Sequence, residues 1–148
     1  MFASIVVGTD GSETASEAVG RAVELAQAHG AALHVVSAYA PDSGPATHGQ
    51  RAAEPAVAEQ WTTAAQAEVA ATLEAAAALA AQAGVAVETY ARPGDAADSI
   101  LDVAEERGAD LIIVGNKGMT GAKRFLLGSV PNKVSHHAPC SVLIIRTT

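Results

Sequence analysis

Short, unbroken apolar runs alternate along this chain with longer stretches whose apolar residues recur every three or four positions. Ile5-Val6-Val7, closed by Gly8, predicts a first strand. From Thr14, the residues Ala15, Ala18, Val19, Ala22, Val23 and Ala26 follow helical spacing until Gly30 stops them. Leu33 to Ala38 predicts a second strand, and Pro41 to Pro55, rich in Pro, Gly, Ser and Asp, a loop. A long helix follows with Trp61, Ala65, Val69, Leu73, Ala76 and Leu79 or Ala80 on one face, ending at Gly84. Val85 to Ala91 predicts a third strand, and Asp95 to Arg107 a helix with Ala97, Ile100, Leu101 and Ala104 inward. Leu111 to Val114 predicts a fourth strand, Val130 to His137 a short helix, and Val142 to Ile145 a fifth strand. No linker or internal repeat interrupts the series, so residues 1–148 are expected to form a single domain.

Alternating β and α units with continuously apolar strands predict an α/β fold, a Rossmann-like doubly wound parallel sheet of five strands with helices on both faces. Right-handed crossovers leave few arrangements, and the expected strand order is 3-2-1-4-5. Ligands of such sheets bind beyond the carboxyl ends of the strands, where the winding reverses. That places Gly8-Thr9-Asp10-Gly11, after strand one, opposite Gly115-Asn116-Lys117-Gly118, after strand four.

The second of these loops belongs to a longer pattern. Gly115, Gly118, Gly128 and Ser129 read Gly-x2-Gly-x9-Gly-Ser, between an apolar strand and a helix opening at Val130-Pro131. Glycine removes the Cβ that keeps a backbone away from a ligand, and a helix start offers unpaired N–H donors at a positive dipole end. The pattern therefore predicts a site for a nucleotide phosphate. Ser129 would bind phosphate or a phosphate-bound Mg²⁺; its alternative role is that of a helix N-cap, against which the spaced glycines upstream argue. Asp10 would accept hydrogen bonds from a ribose hydroxyl or an adenine amine, or else cap the turn Asp10-Gly11-Ser12. Lys117, Lys123 and Arg124 neutralise phosphate or are merely solvated charges.

Composition narrows the partners. At 49% hydrophobic and 3% aromatic, the 148-residue chain builds its core from Ala, Val, Leu and Ile. A net charge of −7 with no basic stripe argues against nucleic acid. The Ala-rich run from Ala64 to Ala83 carries Gln66, Glu68, Glu74 and Gln82 and is too weakly apolar for a membrane span. The N-terminus lacks a basic signal-peptide region, and the single cysteine, Cys140, fits a reducing compartment, so a cytoplasmic location is expected. His136-His137 suits a helix C-terminus rather than a metal, and Cys140 is expected to be a small buried residue without a base to activate it. Neither Gly-x4-Gly-Lys-Ser/Thr nor Gly-x-Gly-x2-Gly occurs, so a P-loop NTPase and a dinucleotide dehydrogenase are both unsupported.

The spaced glycine motif, the opening Val6-Val7-Gly8-Thr9-Asp10-Gly11-Ser12, the segment Ala109 to Gly115 and the ending Ala138 to Ile145 together resemble the universal stress proteins, in their ATP-binding branch. The wording around Asn116 to Gly121 and Leu127 to Pro131 is similar to actinobacterial members. The resemblance implies that Thr9 and Asp10 lie on the ribose or adenine side and that the backbone at Ala38 contacts adenine. It implies that Gly115, Gly118, Gly128, Ser129 and Val130 hold the phosphates, with Asn116 where relatives often carry serine. It implies ATP, with Mg²⁺, as the ligand, with cyclic AMP as the alternative, and a nucleotide-dependent stress-response regulator rather than an enzyme. A slow ATPase or self-phosphorylating protein is the competing reading, since catalysis needs a base or water-orienting group beside the γ-phosphate.

The fifth strand lies at a sheet edge in the expected order, and Val142-Leu143-Ile144-Ile145 carries no charge or proline. An edge so unprotected predicts pairing with a second copy, a homodimer that the resemblance also implies. Covering of that edge by a helix or by the C-terminal residues is the structural alternative.

Overall fold

The computed structural model describes residues 1–40, 55–117 and 127–147. The elements are β1 (Ser4–Gly8), α1 (Glu13–His29), β2 (Ala32–Tyr39), α2 (Pro55–Gln82), β3 (Val87–Pro93), α3 (Ala96–Glu106), β4 (Leu111–Lys117), α4 (Ser129–His137) and β5 (Ser141–Thr147). The strands form one sheet in the order β3-β2-β1-β4-β5, all pairs parallel, as the alternation of apolar runs and helical patterns predicts.

Side chains of successive strand residues point to opposite faces, and two cores result. On one face Ile5, Val7, Leu33, Val35, Leu111 and Ile113 pack under α1 and α2, through Val19, Val23, Val69 and Leu73. On the other, Val6, Val36, Ile112 and Val114 pack under α3 and α4, through Ile100, Val103 and Val134. The inward face of α2 is Val69, Leu73, Ala76 and Ala80, while Leu79 is 43% exposed. The Trp61 side chain, expected in the core, lies outside the described residues, as does the loop expected from Pro41 to Pro55 except for Pro55 itself, which opens α2.

Most strands run one to three residues beyond their expected ends, and two of the boundary differences have a local cause. The third strand begins at Val87, not Val85, because α2 ends in a tight turn: Gly84 takes φ 72, its N–H donates to the Ala81 carbonyl, and Val85 N–H donates back to Ala80. Val85, 7% exposed, packs as the apolar residue that completes this helix stop instead of pairing in the sheet. The fourth strand continues past Val114 to Lys117, because β5 is equally long and pairs Gly115 with Ile145, Asn116 with Arg146 and Lys117 with Thr147. Lys117 thus ends a strand instead of lying in the glycine loop.

Candidate functional site

The turn after β1 is built from its own polar groups. Thr9 N–H donates to the Val36 carbonyl (2.9 Å), carrying the β1–β2 pairing one residue beyond the strand, and its buried hydroxyl accepts from Gly11 N–H (3.1 Å). Gly11 has φ 82, and a Cβ there would stand 2.8 Å from the Thr72 hydroxyl of α2. Glycine is therefore required both for conformation and for space. Asp10 Oδ1 accepts from Ser12 N–H (2.9 Å), and Ser12 Oγ accepts from Ala15 N–H (3.2 Å) as the N-cap of α1. Burial pushes the Asp10 carboxyl up, but hydrogen bonds from the Ser12 side chain and backbone and from its own backbone outweigh this and hold it below the usual value. Asp10 is thus an ionised, exposed acceptor at the strand's end, and the turn role expected as its alternative is present.

The end of β4 is shaped by close approach. A Cβ on Gly115 would meet the Thr14 carbonyl oxygen at 3.2 Å and Ala18 Cβ at 3.3 Å, so this glycine lets α1 settle against the strand. Gly8 does the same on the other face, where a Cβ would collide with the Ile100 side chain of α3. One residue on from Gly115, Asn116 Oδ1 accepts a hydrogen bond from Gly128 N–H (2.9 Å), tying β4 to the start of α4.

Gly128, with extended backbone (φ −63, ψ 166), is the N-cap of α4, and no side chain of its own caps the helix. A Cβ here would lie 3.3 Å from Asn116 Oδ1, close enough to press on that side chain, and at ordinary contact, 3.6 Å, from Pro131 Cδ. Ser129 is the first helical residue, which corrects the alternative reading of its hydroxyl as an N-cap: the cap position is one residue earlier. The N–H groups of Ser129 and Val130 have no partner within the helix, because the first bond inside it runs from Asn132 N–H to the Gly128 carbonyl (3.0 Å). Pro131 sits buried in that first turn, where its missing N–H costs nothing.

These pieces converge. Thr9, Asp10, Ala38, Gly115, Asn116, Gly128, Ser129 and Val130 line one cleft at the carboxyl ends of β1, β2 and β4. Its volume, about 320 Å³, falls in the roughly 300–1,000 Å³ range of small-molecule sites. Gly118, Lys123 and Arg124 lie outside the described residues. The sequence reading missed the apolar wall: Val36 and Val114 from the strands, and Ala96 and Ile100 from the start of α3. Lys133 of α4 pairs with Asp95 (3.3 Å) and Asp98 (2.9 Å), holding α4 beside the N-terminal turn of α3. Burial, with Asp110 adding to it, pushes the half-buried Cys140 thiol up, away from the thiolate a nucleophile needs. Among the described residues no group of His, Cys, Asp and Glu is arranged to hold a metal ion, and no helix is long and apolar enough to cross a membrane.

Comparison with known proteins gives the same frame. Residues 1–146 match the Universal stress protein family. Universal stress protein Rv1636 of Mycobacterium tuberculosis is 38% identical over 149 residues, covering 99% of this chain and 98% of its own length. A universal stress protein crystallised in complex with cAMP is 32% identical, with a TM-score of 0.75 and coverage of 99% of this chain and 98% of that one. The universal stress protein from Archaeoglobus fulgidus solved in complex with dAMP is 25% identical, with a TM-score of 0.69 and 97% coverage of each chain. Near-complete coverage in sequence and structure alike leaves one assignment: the chain belongs to the universal stress protein family.

Proposed function

We propose that the cleft binds an adenine nucleotide and that the protein is a nucleotide-dependent regulator of the stress response, acting in the cytoplasm as a single-domain unit. The phosphates sit against the N–H groups of Ser129 and Val130 and the Ser129 hydroxyl, where the helix dipole favours negative charge. Asp10 accepts from the nucleoside hydroxyls, with Thr9 holding the turn behind it, and adenine lies along the wall formed by Val36, Ala38 and Ile100. The observation that carries this reading is the meeting, in one cleft, of an ionised acceptor after β1 and, after β4, a helix N-terminus whose donors have no partner within the helix.

ATP is the ligand we favour, and a Mg²⁺ carried on its phosphates fits the Ser129 hydroxyl, which is exposed at the helix start and does not serve as its cap. Cyclic AMP is the second reading, favoured by the relative crystallised with it. Both ligands engage the same helix start. Asp10 belongs to the nucleoside side here, which opposes an ATPase reading; turnover lost in Asp10→Asn with ATP affinity kept would restore that reading. Gly128→Ala drives a methyl toward Asn116 Oδ1 and the Pro131 ring, so it is expected to keep the fold and lose ATP affinity. Undiminished ATP binding by a folded Gly128→Ala protein would remove α4 from the phosphate site.

A further inference from the structure

We propose that Asn116 is the positioning residue of the phosphate site, setting which groups at the α4 N-terminus are offered to a ligand. The inference rests on the nucleotide reading above and deepens it. Asn116 is a strand residue, held in register opposite Arg146, and its backbone carbonyl accepts from the buried Thr147 hydroxyl (3.4 Å). Its backbone is therefore anchored to the sheet, and from there Oδ1 reaches across to take the Gly128 N–H at 2.9 Å.

Three consequences follow from that bond. Gly128 N–H is removed from the donors facing the cleft, so the backbone offer at the helix start begins at Ser129 and Val130. Asn116 thus does from the sheet what the N3 Glu or Gln of a capping box does within a helix, accepting the N–H of the cap residue itself, a role that Pro131 at N3 does not fill. The amide is also fixed in orientation: with its oxygen engaged, its Nδ2 group, which donates to no protein acceptor among the described residues, remains a neutral donor on a cleft-lining residue. An anion then meets a preset group of N–H donors instead of a helix end that must be ordered on binding.

The test compares wild type, Asn116→Leu and Asn116→Asp. Hydrogen exchange of the Gly128 amide is read without ligand, and affinities for Mg-ATP and for adenosine are read by calorimetry. Leucine removes the acceptor, so Gly128 exchange should accelerate and ATP affinity fall roughly threefold to tenfold, with adenosine binding unchanged. Aspartate keeps an acceptor oxygen but replaces the amide donor by negative charge. Gly128 should stay protected while ATP affinity falls roughly tenfold and adenosine binding again holds. Gly128 exchange unchanged in Asn116→Leu would overturn the tether, and parallel loss of ATP and adenosine would overturn the phosphate-specific role. Wild-type affinity for ATP in Asn116→Asp would overturn the donor role. A wild type that binds neither ligand would instead sink the nucleotide reading itself, a failure recognisable because it precedes any substitution.

Discussion

Among the described residues, His34 is the most deeply placed ionisable group away from the cleft, 7% exposed in β2. Its Nδ1 is 2.9 Å from the Tyr90 hydroxyl, which donates to Glu88 Oε2 at 2.9 Å; Arg107 reaches the same carboxylate and stacks over the Tyr90 ring. Since the Tyr90 proton goes to Glu88, Nδ1 carries the His34 proton and donates to Tyr90. Burial holds the His34 pKa down; Glu88 opposes that shift and Arg107 reinforces it. A histidine kept neutral by the fold contributes stability that is complete above its unfolded pKa of about 6.5 and is lost as pH falls below that value. His34→Asn keeps a donor and abolishes the titration. Its unfolding free energy should be flatter than that of wild type between about pH 6.5 and 5, measured by urea denaturation. An unchanged slope would show that His34 accepts its proton without cost in the fold. None of this chain of contacts is legible from the sequence, where His34 is one polar letter within an apolar strand. The same limit hid the Asn116–Gly128 bond, which spans 12 residues and depends on how far β4 runs. Gly115 and Gly128, in contrast, were legible, because glycine at the end of a strand and at the start of a helix is a local signal.

Helix ends show where pattern reading works and where it slips by two residues. The helical spacing ends at Gly30 and at Gly84, and both hold positive φ, with the next residue, Ala31 or Val85, buried and donating back to the last turn. An apolar residue after such a glycine looks like the first of a strand, which is why the apolar pattern starts β3 two residues too early. Its true start is set by pairing of Val87 with Leu33, a partner far away in sequence. Gly84→Ala isolates the conformational part of the stop, since an added Cβ meets nothing within 4 Å. It should destabilise the protein by roughly 1–2 kcal/mol. Gly20 is the opposite case, a glycine inside α1 with nothing within 4 Å of an added Cβ. Gly20→Ala should stabilise by roughly 0.5–1 kcal/mol. Thermal melts of the two variants displaced in the same direction would contradict this account. The apolar wall of the cleft was hidden for a related reason: the periodicity of α3 marks Ile100 as inward, but only the crossover geometry carries it under Gly8.

The two edges of the sheet are not equivalent. On β3, Glu88, Arg92 and Pro93 put charge and a missing donor along the margin, with Arg92 paired to Glu106 at 2.7 Å. On β5, Leu143 is 39% exposed and the neighbouring Val142, Ile144 and Ile145 are only partly covered, with Arg146 the one charge near the end. We propose that this margin pairs with a second copy of the chain, as the sequence reading expected. Leu143→Lys, at an exposed position of that margin, should lower the sedimentation mass to that of one chain while circular dichroism remains that of the folded protein. A wild type already sedimenting as one chain would refute the pairing. The larger claim is that parallel order β3-β2-β1-β4-β5 brings Asp10 and the start of α4 together for an adenine nucleotide. The most direct test is calorimetric titration of nucleotide-stripped protein with ATP, and separately with cyclic AMP, in the presence of Mg²⁺. Saturable binding of an adenine nucleotide, tighter for ATP, is the predicted result, and no detectable binding of either ligand would contradict the account.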